Sequence, residues 1–460
     1  MKNFTLKSLA LAALAAFTVG CNEVEQVAPK SEVATQKGSG AVGGPVMMQA
    51  FYWDVPSGGN WWNTVKSKVS AWKTAGFSSM WLPPSAKAQN GALSMGYDPT
   101  DYFDLGNFNQ NGSTETRFGS KAELDALITE AHKTGVTGHP FYMDVIADIV
   151  INHNSGGQSE ANPYTGGNTW TKFNVASGKF NRTYNDFHPN NVKASDEGYF
   201  GGFPDVAHEK TYVQDWLWKR TDGVAKYYKN TVKFDGWRFD FVKGFGTWVV
   251  KDWVTYNPAF TVGELWDGNA QVLIDWANAA NCSAFDFAAY YKMDEAFDGN
   301  DLTKLGGDML LKRNSFKAVT FVANHDTDII FNGKLLAYAY ILTHEGYPCI
   351  FYRDYEEWLD KNKLNNLIWI HNNYATGGTT NRWIDNDEYI ASRNGNGTNP
   401  GLIVYINNST TWQEKWIDTQ WTSTRIKDYT GASTWTPTTA ADRRVKIQAP
   451  PKSYTVWSRF

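Results

Sequence analysis

Cysteine is scarce in this chain: three occur in 460 residues, at positions 21, 282 and 349. Cys282 and Cys349 sit in apolar surroundings, which excludes a disulfide framework, and no CxxC or Cys/His cluster offers a zinc site. Positive charge is not in excess, with 43 Lys and Arg against 47 Asp and Glu. The formal net charge is -4 and no block of Lys and Arg occurs, so nucleic acid is excluded as an expected partner. No apolar run is long enough to span a bilayer, and no repeat or dimerising helix is visible, so a monomer is expected. Aromatic residues, in contrast, abound, with 21 Trp and 23 Tyr. Flat rings fill cores and also stack on the C–H faces of sugars. Most are expected in the core, including Trp412, Trp416, Trp421 and Trp435 near the C-terminus.

The N-terminus orders Lys2 and Lys7, an apolar stretch from Leu9 to Val19, then Gly20 and Cys21, the arrangement of an export signal. Cys after Gly resembles the lipobox of bacterial lipoproteins, with Thr18 where that motif has Leu. Residues 1–21 are therefore predicted to be a lipoprotein signal peptide with Cys21 as the lipid anchor. The expected location is a bacterial cell surface or outer membrane, or otherwise the secreted fraction. Residues 22–44, polar and rich in Gly and Ser, read as a tether.

Beyond the tether, strand-like runs alternate with helical ones. VMMQAFYWD, FSSMWLPP, MDVIADIVINH, DGWRFDFV, FTVGELW, SAFDFAAY, KAVTFVANHD and PCIFY are separated by helical spans such as Trp62–Ala75, Lys121–Thr134, Lys210–Lys229 and Lys334–Thr343. Eight repeated βα units predict a parallel sheet closed into an α/β barrel of the TIM (β/α)8 type, over residues 45–152 and 207–376. Between them, residues 153–206 crowd Gly, Asn, Pro and Tyr into a segment too long for a simple connection, an inserted domain after the third strand. From residue 377 to 460 short alternating strands with turns predict a C-terminal antiparallel β domain.

Three of the strand-like runs end in acidic residues: GWRFDFVKG with Asp240, VGELW with Glu264 and FVANHD with Asp326. Barrel enzymes carry their chemistry at the C-terminal ends of strands, and three carboxylates there invite glycosidic chemistry. Strand alternation over Phe234–Val242 puts Arg238 and Asp240 on the inner face and Trp237, Phe239 and Phe241 on the helix side. Arg238 beside Asp240 favours an ionised nucleophile, whereas two nearby aspartates should raise Glu264 and keep it a proton donor.

These segments resemble the conserved regions of the alpha-amylase family of glycoside hydrolases, in the order ADIVINH, GWRFDFVKG, GELW and VANHD, supported by SMGYDPTDYFDLG, GGFPDV and IFYRDYEEW. The likeness runs from about Val46 to Phe460, nearest in pattern to the archaeal and plant-like liquefying alpha-amylases. It implies endo-acting, retaining hydrolysis of α-1,4-glucans in starch, glycogen and maltooligosaccharides. Asp240 falls on the nucleophile, Glu264 on the general acid/base and Asp326 on the transition-state stabiliser. Tyr97, His153, Arg238, Lys243 and His325 fall on substrate-binding positions. Calcium (Ca2+) is implied as cofactor, with Asn152, Asp196 and Asp205 as ligands and backbone carbonyls at Gly198 and Gly244, in a B domain formed by the insertion. At a neighbouring zinc site found in archaeal relatives, His188 is kept but Lys193 and Ala207 replace its partners, so no zinc is expected. The chain departs from the family at Val136–Tyr142, VTGHPFY, which is expected to bulge at the barrel end away from catalysis, with its effect on the strand that delivers Asp148, Asn152 and His153 left open. Two alternatives stay open, a transglycosylating member of the family and a catalytically impaired glucan-binding surface lipoprotein.

Overall fold

Eight short parallel strands close into a barrel in the computed structural model, which describes residues 44–460. They are β1 (Met47–Gln49), β2 (Ser79–Trp81), β3 (Asp144–Ile149), β4 (Gly236–Phe239), β5 (Phe260–Gly263), β6 (Ser283–Phe285), β7 (Ala318–Phe321) and β8 (Tyr347–Phe351). Neighbours in sequence are neighbours in the sheet, and β1 pairs with both β2 and β8, which closes the ring. The predicted signal peptide, Cys21 and the tether up to residue 43 lie outside the described residues.

The outer helices form for visible reasons. α1 (Trp61–Ala75) buries Trp62, Val65, Val69 and Trp72 on one stripe and stops at Gly76, whose φ of 105° suits glycine. α2 (Lys121–His132) starts with a reciprocal Ser120–Glu123 capping box and turns Leu124, Leu127, Ile128 and Ala131 inward. The ring continues with α3 (Thr247–Tyr256), α4 (Ala270–Ala279), α5 (Phe287–Phe297), α6 (Lys334–Thr343) and α7 (Lys361–Tyr374). Parity in β4 is as expected for Trp237 and Phe239, which pack edge-on against Trp253 of α3 with ring centroids 5.6 and 5.4 Å apart, but not for Phe241, which lies beyond the strand at a φ of 44° and meets Phe200 of the inserted segment at 5.3 Å. Arg238 points the other way, into the barrel, and is fully buried.

Two local expectations need correction, and a third segment gains its detail. The run SAFDFAAY is strand only to Phe285, because the Asp286 carboxylate accepts the backbone N–H groups of Ala289, Leu310 and Leu311 and so starts α5. The span Lys210–Lys229 is not one helix: wide turns over Asp215–Lys219 end it, and it restarts at Val224 after Gly223, where a Cβ would lie 2.7 Å from the Trp216 carbonyl. Residues 136–142 do turn outward before β3, but they are tied down rather than loose. His139 is buried, with Nε2 3.0 Å from Glu130 and Nδ1 3.3 Å from the Lys73 ammonium. Tyr142 stacks on His132 at 4.2 Å and donates to Asp235 at 2.8 Å, while Met143 N donates to Ala131 O at 3.1 Å.

Between β3 and β4 the inserted segment carries a hairpin of Gln158–Asn162 and Gly167–Lys172 and then a loop-rich stretch. After α7 come β9 (Thr379–Ile384), β10 (Glu388–Arg393), β11 (Leu402–Asn407), β12 (Gln413–Asp418), β13 (Ile426–Asp428), β14 (Arg444–Ala449) and β15 (Ser453–Arg459). A five-stranded antiparallel sheet, ordered β9-β10-β11-β15-β13, faces the pair β12-β14 across a core that includes Ile390, Ile403, Ile417, Trp421, Ile447 and Trp457. Trp421 is core as expected, but Trp412, Trp416 and Trp435 are exposed to 52%, 58% and 37%, on the outer side of the β domain.

Candidate active site

Two of the sequence-selected carboxylates, Asp240 and Glu264, emerge one residue beyond the barrel strands. Asp240 N donates to Ile149 O at 3.1 Å and Glu264 N to Phe239 O at 2.9 Å, so the ladder fixes both backbones at the C-terminal mouth. Asp326 follows β7, Asn152 and His153 follow β3, and Tyr97 lies in the loop after β2.

Arg238 organises the floor. Its Nη1 donates to Asp148 and to Asp240 at 2.8 Å each, and its Nη2 lies 2.8 Å from Glu264 Oε1. Trp81 covers the guanidinium at 4.8 Å, a cation–π contact out of water. A buried cation shared by three carboxylates compensates their charge. Arg238→Met is therefore expected to cost about 3–5 kcal/mol in denaturant unfolding, because it strands uncompensated buried charge; a loss under about 1 kcal/mol would show that the carboxylates find other partners.

Asp148 belongs to this network although the sequence reading did not select it. Besides Arg238 it accepts from Trp81 Nε1 at 3.0 Å and from Tyr97 Oη at 2.9 Å. Burial pushes it up to about 7, against the pull of Arg238. A charge inside the apolar run VIADIVI was the available signal. Gln49 is a second omission: buried in β1, its Nε2 donates to His325 Nδ1 at 2.9 Å. That leaves the proton of neutral His325 on Nε2, 3.1 Å from Asp326 Oδ2.

Burial raises Glu264 to about 8, with Asp240 and Asp326 adding to the effect and Arg238 opposing it. Burial likewise moves Asp326 up to about 6, opposed by Arg238 and aided by Asp240. Both histidines are held neutral. Burial and then Arg238 push His325 well below its usual value, and burial lowers His153, whose Nε2 donates to Tyr97 O at 2.8 Å. One carboxyl is thus kept as a proton donor beside another that is ion-paired.

Aromatic faces line the opening. Trp53, 52% exposed, stacks on Tyr97 at 5.9 Å, and Tyr97 stacks on His325 at 5.3 Å. From the inserted segment, Phe200 and Phe203 lie nearly parallel to His153 at 4.6 and 5.1 Å. Trp53, Phe200 and Phe203 carry no sequence signal that separates them from core aromatics. Lys243 is exposed and joins none of these contacts.

Asn152, Asp196, Gly198, Asp205 and Gly244 gather behind His153. Asn152 Nδ2 donates to His153 Nδ1 at 3.3 Å, which leaves Asn152 Oδ1 buried and without a partner; Asp205 Oδ1 is in the same state. Gly198 N donates to Gly244 O at 3.1 Å, and a Cβ on Gly244 would fall 1.9 Å from Asn152 Oδ1. Asp196 is held by Lys193 at 3.2 Å and lies 3.6 Å from His208 Nδ1. His188 bonds Asp205 at 2.8 Å and Glu209 at 3.1 Å; burial opposes its protonation, but the two carboxylates push it up to about 9. Among the described residues no three His, Cys, Asp or Glu side chains form a metal-holding group, so any ion here would depend on the Asn152 amide and on backbone carbonyls.

The family described as "Alpha amylase, catalytic domain" matches residues 46–252, and "Alpha-amylase C-terminal" matches residues 402–458. The alpha-amylase of Geobacillus stearothermophilus is 30% identical over 431 residues, covering 77% of this chain and 75% of that protein. The cytoplasmic alpha-amylase of Escherichia coli (strain K12) is 28% identical over 444 residues, covering 79% of this chain and 88% of that one. An Anoxybacillus alpha-amylase structure superposes with a TM-score of 0.69 at 18% identity, covering 90% of this chain and 97% of that one. A three-domain cyclomaltodextrin glucanotransferase does so with a TM-score of 0.69 at 21% identity, covering 90% and 99%. The structural likenesses bear on the fold alone, whereas the sequence matches bear on descent. With its carboxylates gathered around Arg238 at the mouth of a closed eight-stranded barrel, this chain belongs to the alpha-amylase family and is a glycoside hydrolase.

Proposed function

We propose that the enzyme cleaves α-1,4-glucosidic bonds within starch, glycogen and maltooligosaccharides by double displacement. The observation that carries this reading is the pairing of two carboxyls on one guanidinium: Asp240 and Glu264 each lie 2.8 Å from Arg238, and burial raises Glu264 to about 8, which suits a proton donor. Asp240 attacks the anomeric carbon as Glu264 gives its proton to the departing glycosidic oxygen, leaving a glycosyl ester on Asp240. Glu264, now a carboxylate, takes a proton from water, the water oxygen attacks the same carbon, and Asp240 is released. Asp326, oriented by His325, binds sugar hydroxyls as the ring flattens. Tyr97, His153, Arg238 and Lys243 position substrate, Arg238 by orienting the carboxylates and Lys243 from the exposed rim. Named relatives that act on α-glucans support the substrate class, and no catalytic carboxylate is missing to favour an impaired glucan-binding protein. The test is starch digestion followed by NMR of the first-formed ends. Internal cleavage with α-configured ends is expected; β-configured ends, or no cleavage by folded protein, would overturn the reading.

Calcium is part of the same proposal. Hard oxygen donors suit it, and two orphaned buried oxygens, Asn152 Oδ1 and Asp205 Oδ1, with Asp196 and carbonyls of Gly198 and Gly244, would hold it. When bound, it would supply positive charge that fastens the inserted segment to β3. Chelation is expected to lower stability by about 2.7 kcal/mol at an ion concentration a hundred times Kd, seen as a fall in Tm that added calcium reverses. An unchanged Tm after exhaustive chelation would count against the site.

A further inference from the structure

Away from the cleft, α7 turns Leu364, Leu367, Ile368 and His371 into the core and leaves Asn362, Asn366 and Trp369 along its outer side. Trp369 is 45% exposed. It stacks on Tyr429 with centroids 5.9 Å apart and planes 30° from parallel. Tyr374 closes the group, 5.6 Å from Trp369 and 4.6 Å from Tyr429. Tyr429 follows β13, so this platform is built across the seam between the barrel and the terminal β domain.

The platform is rigid. Asn366 Nδ2 donates to Tyr429 O at 3.1 Å, Tyr429 Oη donates to Arg459 O at 3.0 Å, and Tyr429 N donates to Val456 O at 2.8 Å. Beside it opens a cavity of about 400 Å³, bounded by Asn362, Lys363 and Asn366 on the helix and by Thr430, Ser453 and Tyr454 on the β domain. Its lining is amides, hydroxyls and one ammonium, with no nucleophile poised on a base. Such a site binds rather than reacts.

The chemistry selects among ligands. A flat ring face takes the C–H side of a pyranose, and neighbouring amides and hydroxyls bond its hydroxyl groups. An anionic polymer would ask for a row of free cations, whereas Lys427 lies over the Tyr429 ring at 4.7 Å and Lys363 stands alone at the cavity. A peptide helix would ask for a groove lined by large aliphatic side chains, and none borders this cavity. We propose that the α7–Tyr429 seam is a second binding site for an α-glucan chain, separate from the cleft. This rests on the glucan reading of the active site. One long polymer can engage the cleft and the seam together, which raises its effective concentration without any new contact at the reacting bond.

The test compares the wild-type enzyme with Trp369→Ala, Trp369→Phe and the doubly substituted Asn362→Ala/Lys363→Ala enzyme. Adsorption to starch granules and retardation in glycogen-containing native gels report on the seam; hydrolysis of maltoheptaose reports on the cleft. Trp369→Ala is expected to weaken polymer binding about three- to tenfold, the worth of one aromatic stacking contact. Trp369→Phe should retain most binding, the double variant should weaken it, and maltoheptaose turnover should stay at the wild-type level in all. Polymer binding at wild-type strength in Trp369→Ala and in the double variant would overturn the proposal. If Trp369→Ala fails to fold, the exposed double variant decides alone. A wild-type enzyme that neither binds nor cleaves any glucan would instead sink the reading of the active site.

Discussion

Asp240→Asn should abolish turnover of soluble starch, by about 10⁴-fold or more, while leaving the protein folded. Losses of that size accompany removal of a nucleophile whose neighbours cannot replace it. The substitution keeps an oxygen for Arg238 Nη1, so the guanidinium still meets Asp148 and the floor of the barrel stays assembled. What goes is the oxygen able to form a glycosyl ester. A second consequence follows from charge. Asp240 is one of the groups that hold the Glu264 proton in place, so the residual activity should lose its alkaline limb at lower pH than the wild type. The companion Asp240→Ala variant leaves room for azide, which should attack the anomeric carbon from the side of the missing carboxylate and give a β-glycosyl azide. Wild-type rates in Asp240→Asn would remove Asp240 from the reaction.

Glu264→Gln should cost about 10²- to 10⁴-fold, the usual contribution of a positioned acid/base. The pH profile carries the more specific signature. Glu264 must be protonated to donate, and burial raises it to about 8, so wild-type activity should be present below that pH and fall as pH rises through it. In Glu264→Gln that alkaline limb should disappear. With an α-glucosyl fluoride, whose leaving group needs no proton, the first step should recover while release from Asp240 stays slow for want of a base, giving a burst of fluoride. An unchanged alkaline limb would mean that another group provides the proton.

Much of the catalytic face was legible because strand parity is local. In Trp237, Arg238, Phe239 and Asp240 each residue's side of the sheet follows from its neighbour's, and the structure puts Arg238 inside and the rings on α3. Partnerships across the barrel were not legible. Gln49 and His325 are 276 residues apart and meet because β1 lies beside β8 and near β7; nothing around either residue announces the other. Phe200 and Phe203 read as ordinary aromatics until the inserted segment folds back over His153. The end of β6 was misread for a similar reason, since Asp286 is recruited by N–H groups of Leu310 and Leu311 that a local pattern does not contain. Exposure of Trp416 and Trp412 escaped too, because alternation marks two faces of a strand without telling which of them is covered.

Ring closure also has a cost in time. Met47 pairs with Cys349, so the strand that leaves the ribosome first finds one of its two neighbours only after nearly the whole barrel has been made. Until then β1 has an open edge of unpaired backbone, the condition that slows folding and invites association with other chains. The active site inherits that schedule. Gln49 cannot orient His325 before β1 is seated, so a newly made chain should gain catalytic competence late and abruptly rather than in proportion to the helices and strands already formed.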